Sequence, residues 1–268
     1  MSKTAFITMD MESLYDSGCM RRHHIASNEE FDCAEDVEKF IKYLDSQNVK
    51  ATIFVAVSFL SRCKSTLIKA IENGHEIALH CLEHKNVRGM SVEQFEQEIK
   101  EAKEIIKKEL GVEPVGFRFP CFKSDEKYME VIKRNGFIYD SSATSRELRN
   151  KITIDQGFYE FSPNIYKLLF FRINLSGGGY LRLMPKIFYF RKLNRCIKNG
   201  YYQLYLHPFE IHEGKLPSKK LNIIEKMYIN RGRKKYLSEI AGLIDRLKDE
   251  EYEFLTMKEY VNRETKHE

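Results

Sequence analysis

Residues 51–80 read ATIFVAVSFLSRCKSTLIKAIENGHEIALH. Ala51 to Val57 is rich in β-branched and apolar residues and reads as a buried strand. Ser65 to Asn73 has helical character and stops at Gly74, the residue type that most easily closes a helix. Glu76 to His80 is apolar again and reads as the next strand. Outward from this unit the same rhythm repeats. Ala5 to Met9 is a short apolar run ending in an acid. Glu35 to Gln47 places Val37, Phe40, Ile41 and Leu44 on one helical face. Ser91 opens a Ser-Val-Glu-Gln capping pattern for a helix that runs to Leu110 and closes at Gly111. Gly116 to Phe119 and Phe137 to Tyr139 read as strands around a helix from Glu126 to Asn135. Tyr201 to Leu206, Tyr236 to Asp249 and Glu253 to Leu255 continue as strand, helix and strand. Alternation of this kind gives an α/β chain with parallel strands and crossover helices, either doubly wound or closed into a barrel.

The chain has 268 residues, with 44 Lys plus Arg against 39 Asp plus Glu for a net charge of +5. At 43% hydrophobic and 31% charged residues it is globular rather than disordered. The charge excess is too mild and too scattered to argue for nucleic acid. The six cysteines form no CxxC pair, so neither a zinc knuckle nor a disulfide framework is indicated, and reduced thiols are expected. No signal-peptide pattern and no transmembrane segment is read, which predicts a cytoplasmic protein. With no internal repeat, residues 1–268 are expected to form a single domain. Residues 147–198 break the rhythm and read as an insertion covering one end of the barrel.

Candidate chemistry sits at strand ends, where parallel α/β folds assemble their sites. Asp10 and Glu12 leave the first strand two residues apart, a spacing that lets both carboxylates face one pocket. Like charges repel, so a metal ion or a division of roles must justify the pair. His80 and His84 follow the third strand; four apart on a helical turn, both can reach one metal. His207 ends the late strand, aimed by Pro208, and suits proton transfer. Arg118 ends the fourth strand and can pair with a buried carboxylate. Asp140 ends the fifth and reads on its own as a helix cap.

The order of these residues resembles the polysaccharide deacetylase family, the carbohydrate esterases with a NodB-type domain. The match covers about residues 4–257. Its motifs are the acidic pair Asp10 and Glu12, the His-x-x-x-His of His80 and His84, the Arg-x-Pro of Arg118 and Pro120, and Leu206-His207. Residues 176–185 (SGGGYLRLMP), 206–210 and 230–233 look like the subgroup associated with exopolysaccharide biosynthesis loci. Two departures stand out: Met11 separates the acids, and Cys121 replaces the usual aromatic.

The resemblance implies a distorted (β/α) barrel of roughly seven strands. It also implies a metal-dependent N-deacetylase acting on N-acetylhexosamine units of a glycan or lipid-linked glycan precursor. One divalent metal, zinc by expectation, is held by His80, His84 and Glu12, where it activates water and polarises the acetyl carbonyl. Asp10 is the base, with the reverse assignment of Asp10 and Glu12 left open. Arg118 supports the base, the Cys121 N–H holds the oxyanion, and His207 protonates the leaving amine. Pro120, Cys121, Asp140, Tyr180 and Arg182 are expected around the substrate, the last two because Gly177 to Pro185 and the aromatics Phe170 and Phe171 offer stacking faces and donors. A hydrolase of a small amide or imide and an inactive glycan-binding module are the alternatives. The basic run Arg231 to Lys235 reads as a solvated helix face in preference to a lipid contact, and the cytoplasmic protein could lie at the inner membrane face.

Overall fold

A computed structural model of the chain describes residues 3–25, 31–84, 87–143, 150–168, 171–197 and 200–266. In chain order the strands are β1 (Thr4–Met11), β2 (Ala51–Ala56), β3 (Glu76–Cys81), β4 (Gly116–Phe117), β5 (Tyr139–Asp140) and β6 (Ile152–Asp155). They continue as β7 (Phe158–Phe161), β8 (Ile165–Leu168), β9 (Phe171–Asn174), β10 (Tyr201–Leu206) and β11 (Glu253–Phe254). The α-helices are α1 (Gly18–Arg22), α2 (Ala34–Ser46), α3 (Val57–Glu72), α4 (Val92–Leu110), α5 (Glu126–Arg134) and α6 (Gly178–Leu183). After them come α7 (Lys186–Cys196), α8 (Pro208–Ile211), α9 (Ile223–Asn230), α10 (Arg233–Asp249) and α11 (Met257–Glu264).

The main sheet runs β10-β1-β2-β3-β4-β5-β7-β6, with β11 beside β1. Seven strands along that path, β10 to β7, are parallel, and β6 pairs antiparallel with β7. The sheet curls into the expected distorted barrel. Asn164, just past β7, closes part of its seam. The Asn164 amide donates to the Tyr201 carbonyl at 3.2 Å and accepts from the Gln203 N–H at 2.9 Å. Further along β10 the Tyr205 N–H donates to the Ser176 carbonyl at 2.8 Å, so the segment before α6 closes the same seam.

Every residue of β1, β2 and β3 is buried, as a sheet covered on both faces requires. Ile7, Met9, Ile53, Val55, Ile77 and Leu79 pack outward against the helices, in one cluster with Val37, Phe40 and Leu44 of α2. The alternate residues point inward. At the amino-terminal end these are aromatic: Phe6, Phe54, Tyr139, Tyr159, Phe161 and Tyr201, with Met257 and Val261 of α11 closing the bottom. Gly116 has no room for a side chain, because a Cβ there would lie 1.9 Å from the Tyr139 ring. Nearer the other end, Thr8, Arg118, Ser141 and Gln203 form a buried polar layer bonded to one another.

Three expectations are corrected here. Helix α3 begins at Val57, not Ser65; its first turn has no side-chain cap, but the Ser58 N–H donates to the Leu82 carbonyl at 3.0 Å. That capping group comes from another loop, which local sequence cannot reveal. Residues 147–198 are not purely a cover, since β7 is a barrel strand and the β8–β9 hairpin, α6 and α7 follow it. His80 and His84 are not on one helical turn: His80 lies within β3, and His84 is in the bend beyond it. Residues 147–149, 169, Phe170 and 198 lie outside the described residues.

Candidate active site

The inward alternation of β1 carries Thr8 and Asp10 up to the carboxyl end of the barrel, and the chain then leaves the strand at Glu12. The same alternation on β3 delivers His80, and on β10 it delivers Tyr205 and then His207. Asp10, Glu12, His80, His84, Cys121 and His207 all border one cleft of about 560 Å³. Asp16, Tyr205, Glu210, Glu225 and Tyr228 border it too.

Glu12, His80 and His84 are buried, and one ligand atom from each lies within 4.8 Å of the others. Glu12 Oε2 stands 2.7 Å from His84 Nε2 and 3.4 Å from His80 Nε2. It meets neither in hydrogen-bond geometry, so these buried contacts are ion pairs only. A buried carboxylate oxygen in that state is costly unless something else fills the point on which all three atoms converge. The His80 Nδ1 lies 2.7 Å from the Arg118 carbonyl, which fixes a proton on Nδ1 and leaves the Nε2 lone pair facing Glu12. Two imidazole nitrogens and one carboxylate oxygen are a donor set that suits a divalent metal. The site therefore fits the group that the resemblance implies. Burial pushes the Glu12 carboxyl up, but the imidazoles of His84, His80 and His207 more than offset this and hold it well below the usual carboxylate range.

Asp10 is held differently. Arg118, fully buried, donates from Nη1 to Asp10 Oδ1 at 2.5 Å and to Thr8 Oγ1 at 2.9 Å. Its Nε and Nη2 donate to the carbonyl and hydroxyl of Ser141. The guanidinium also lies over the Phe54 ring, 3.9 Å from its centroid. Asp10 is thus tied to an arginine, and Glu12 to two imidazoles. Glu12 therefore belongs to the candidate metal cluster with His80 and His84, whereas Asp10 belongs to the Arg118 ion pair.

His207 lies across the cleft, with Nε2 3.6 Å from Glu12 Oε1 and its ring stacked on Phe209 at 5.2 Å. Its Nδ1 stands 3.1 Å from Glu210 Oε2, which also accepts from the His207 backbone N–H. Burial alone would lower the His207 pKa. The hydrogen bond to Glu210 and the charges of Glu12 and Glu210 push it up to about 9.

Other expected substrate residues fall elsewhere. Asp140 is buried and spends both oxygens on Ser142, accepting from its N–H at 2.8 Å and its hydroxyl at 2.9 Å. Ser142 in turn accepts from the Phe119 N–H at 2.7 Å, so Asp140 braces the loop behind Arg118 rather than facing the cleft. Burial pushes Asp140 up to about 7. Pro120 is buried in a short 3₁₀ turn, Pro120–Phe122, off the cleft wall. Cys121 and Phe122 both take positive φ, 57° and 55°, which turns the chain so that both border the cleft. Arg182 is buried and donates to the carbonyls of Tyr228 and Arg231, with Glu210 at 3.5 Å. It therefore fastens α9 instead of meeting substrate. Tyr180 is exposed and outside the cleft wall. The glycine run packs against the site's supports: a Cβ on Gly178 would lie 2.1 Å from the Tyr236 hydroxyl and 2.9 Å from Glu210 Oε2. Gly178 therefore belongs to the packing behind His207, where close approach excludes any side chain.

Sequence reasoning missed Glu210, Asp16, Arg21 and the α9 wall. Glu210 had a legible signal, three residues after a histidine at a helix start, as in a capping box. Arg21 donates to the His84 carbonyl at 2.6 Å and has its Nη1 3.2 Å from His84 Nδ1, a long-range pairing with no local signature.

The sequence profile of polysaccharide deacetylases matches residues 17–139, and that of a domain of unknown function, DUF3473, matches residues 136–262. A peptidoglycan deacetylase-like protein of Gibberella zeae is 26% identical over 124 residues, 46% of this chain and 36% of that protein. Chitin deacetylase 1 of Cryptococcus neoformans var. grubii is 29% identical over 96 residues, 36% of this chain and 20% of that one. This chain therefore spans about a third or less of the length of these curated relatives. A crystal structure titled as a putative polysaccharide deacetylase from Mycobacterium smegmatis superimposes with a TM-score of 0.67 at 17% identity, over 98% of this chain and 90% of that one. Over residues 17–139 the chain is thus similar to polysaccharide deacetylases, and its barrel is the fold of the solved structure. Among the described residues, no helix is long and apolar enough to cross a membrane.

Proposed function

We propose that the protein is a metal-dependent glycan N-deacetylase, hydrolysing the acetamide of N-acetylhexosamine units to acetate and a free amine. The similarity to polysaccharide deacetylases supports a glycan deacetylase, and the single observation that carries metal dependence is the convergence of buried Glu12, His80 and His84 on one point. A divalent ion, zinc by its donor set, would supply Lewis acidity for the acetyl carbonyl and an acidified water. Asp10 takes the water's proton, and Arg118 holds it in line to do so. The Cys121 N–H is the proposed donor to the tetrahedral oxyanion. His207, with its proton held by Glu210, donates to the nitrogen so that an amine rather than an amide anion leaves. The apolar part of the cleft, from Phe122, Tyr205 and Phe209, suits an acetyl methyl and a sugar face. An intact ligand set, base and acid argue for catalysis over mere glycan binding.

The finer reading, a lipid-linked precursor in exopolysaccharide biosynthesis acted on at a membrane face, rests on the subgroup motif in residues 176–185 and 206–210. Residues 1–268 are proposed to work as one catalytic domain. The test is acetate release, read by mass spectrometry, from chitin oligomers, acetylated polysaccharides and lipid-linked N-acetylhexosamines, with metal content measured in parallel. Release from any of these, lost in the Asp10→Asn variant, supports the reading. Activity confined to small amides or imides contradicts it.

A further inference from the structure

Helix α9 turns most of its apolar side chains outward: Ile223 is 84% exposed, Ile224 73%, Met227 52% and Tyr228 49%. Leaving four large apolar groups on so short a helix in water has a cost that a soluble surface normally avoids. The ridge is flanked by cations. Residues 214–235 contain eight Lys and Arg against one acid, Glu225. Glu225 is itself buried and paired with Arg22 and His23, so it contributes no free negative charge to this face. Lys219 and Lys220 precede the helix and Arg231, Lys234 and Lys235 follow it, all exposed. Ile224 and Tyr228 of the same ridge also border the catalytic cleft.

We infer that α9 and its flanking lysines dock the mouth of the cleft onto an anionic lipid surface. An apolar helix face rimmed by Lys and Arg sinks into the headgroup boundary while the long cationic side chains reach the phosphates. Lysine is depleted from protein–protein interfaces, so a rim of lysines around exposed isoleucines fits lipid better than a folded partner. Arg231 to Lys235 is then the edge of an amphipathic surface, not merely a solvated helix face. Docked this way, the cleft opens toward headgroup-borne substrate. The docking itself rests on the exposed ridge and its charges, independently of the deacetylase reading.

The experiment is co-sedimentation of the full chain with phosphatidylcholine vesicles, with and without phosphatidylglycerol. It contains no acetylated substrate, so its failure and a failure of the proposed activity are distinguishable. The wild type partitions to phosphatidylglycerol vesicles and not to neutral ones, and salt weakens the binding. A basic residue near such a surface is worth about fivefold in partitioning. The double variant Lys219→Glu and Lys220→Glu therefore loses roughly 25-fold or more. Ile223→Glu loses about tenfold or more from the lost apolar burial alone. Both sites are exposed, so far-UV circular dichroism remains that of the wild type. The inference is overturned by no partition to the anionic vesicles, or by undiminished partition of Ile223→Glu. It is also overturned if the ridge instead holds a dimer, seen by sedimentation and lost in Ile223→Glu.

Discussion

Replacing Arg118 by Met isolates the buried ion pair beneath the site. Arg118 is fully buried and makes four hydrogen bonds, to Thr8, Asp10 and twice to Ser141. Methionine fills much of the volume but leaves the Asp10 carboxylate, 3% exposed, without its counter-charge. Removing one partner of a buried pair costs about 3–5 kcal/mol, because the remaining charge stays desolvated. That is a large share of the ~5–15 kcal/mol that holds a typical domain together. At a urea m-value of ~3 kcal/mol/M the midpoint falls by about 1–1.7 M. Asp10→Asn combined with Arg118→Met removes both charges, so the double variant is expected to recover ~2 kcal/mol or more relative to additivity. The assay is urea unfolding of metal-free protein followed by circular dichroism, since bound metal would add its own stabilisation. Strict additivity, with a coupling below ~0.5 kcal/mol, would refute the claim that Arg118 serves chiefly to hold Asp10.

Glu12→Gln, His80→Ala and His84→Ala are each expected to weaken zinc binding at least ~100-fold, measured by competition with a chelating dye, while Asp10→Asn keeps the metal; loss of metal in Asp10→Asn would exchange the roles of the two acids. His207→Gln is expected to lower kcat by ~10²–10⁴ with metal retained. Glu210→Gln acts through His207, lowering kcat by a smaller factor with KM little changed, in steady-state kinetics. Burial pushes the Asp140 carboxyl up to about 7, well above the usual carboxylate range, so folding favours its neutral form. Stability is therefore expected to be greatest below about pH 4 for this group and to fall by ~4 kcal/mol as pH rises through 7. Unfolding of Asp140→Asn across that range should be flatter by that amount, and an unchanged pH profile would contradict the burial argument.

Much of the barrel was readable because parallel strands buried on both faces leave continuous apolar runs, as in Ala51–Ala56 and Glu76–Cys81. The carboxyl ends of those strands then pointed to Asp10, His80, Arg118 and His207. The stretch after Asp140 was not readable. Strand β7 is short, and the seam beyond it rests on the Asn164 side chain and a backbone contact from Ser176 rather than on a hydrophobic period. Arg182 and Tyr180 looked like sugar contacts because Arg and Tyr suit both roles. Only the three-dimensional path of α9 gives Arg182 the carbonyls of Tyr228 and Arg231 as its partners. Likewise, Gly178 to Gly179 suggested a loop open to ligand, whereas the glycines make room for Tyr236, Glu210 and Tyr228.

The central claim is that Glu12, His80 and His84 hold a metal on which glycan deacetylation depends. The most direct measurement is acetate released from a chitin oligomer by the same preparation as purified, after chelation, and after zinc is restored. The account predicts release that stops with chelation, returns with about one zinc per chain, and fails to return in Glu12→Gln. Acetate release at an undiminished rate from metal-free protein, or full recovery in Glu12→Gln, would contradict it.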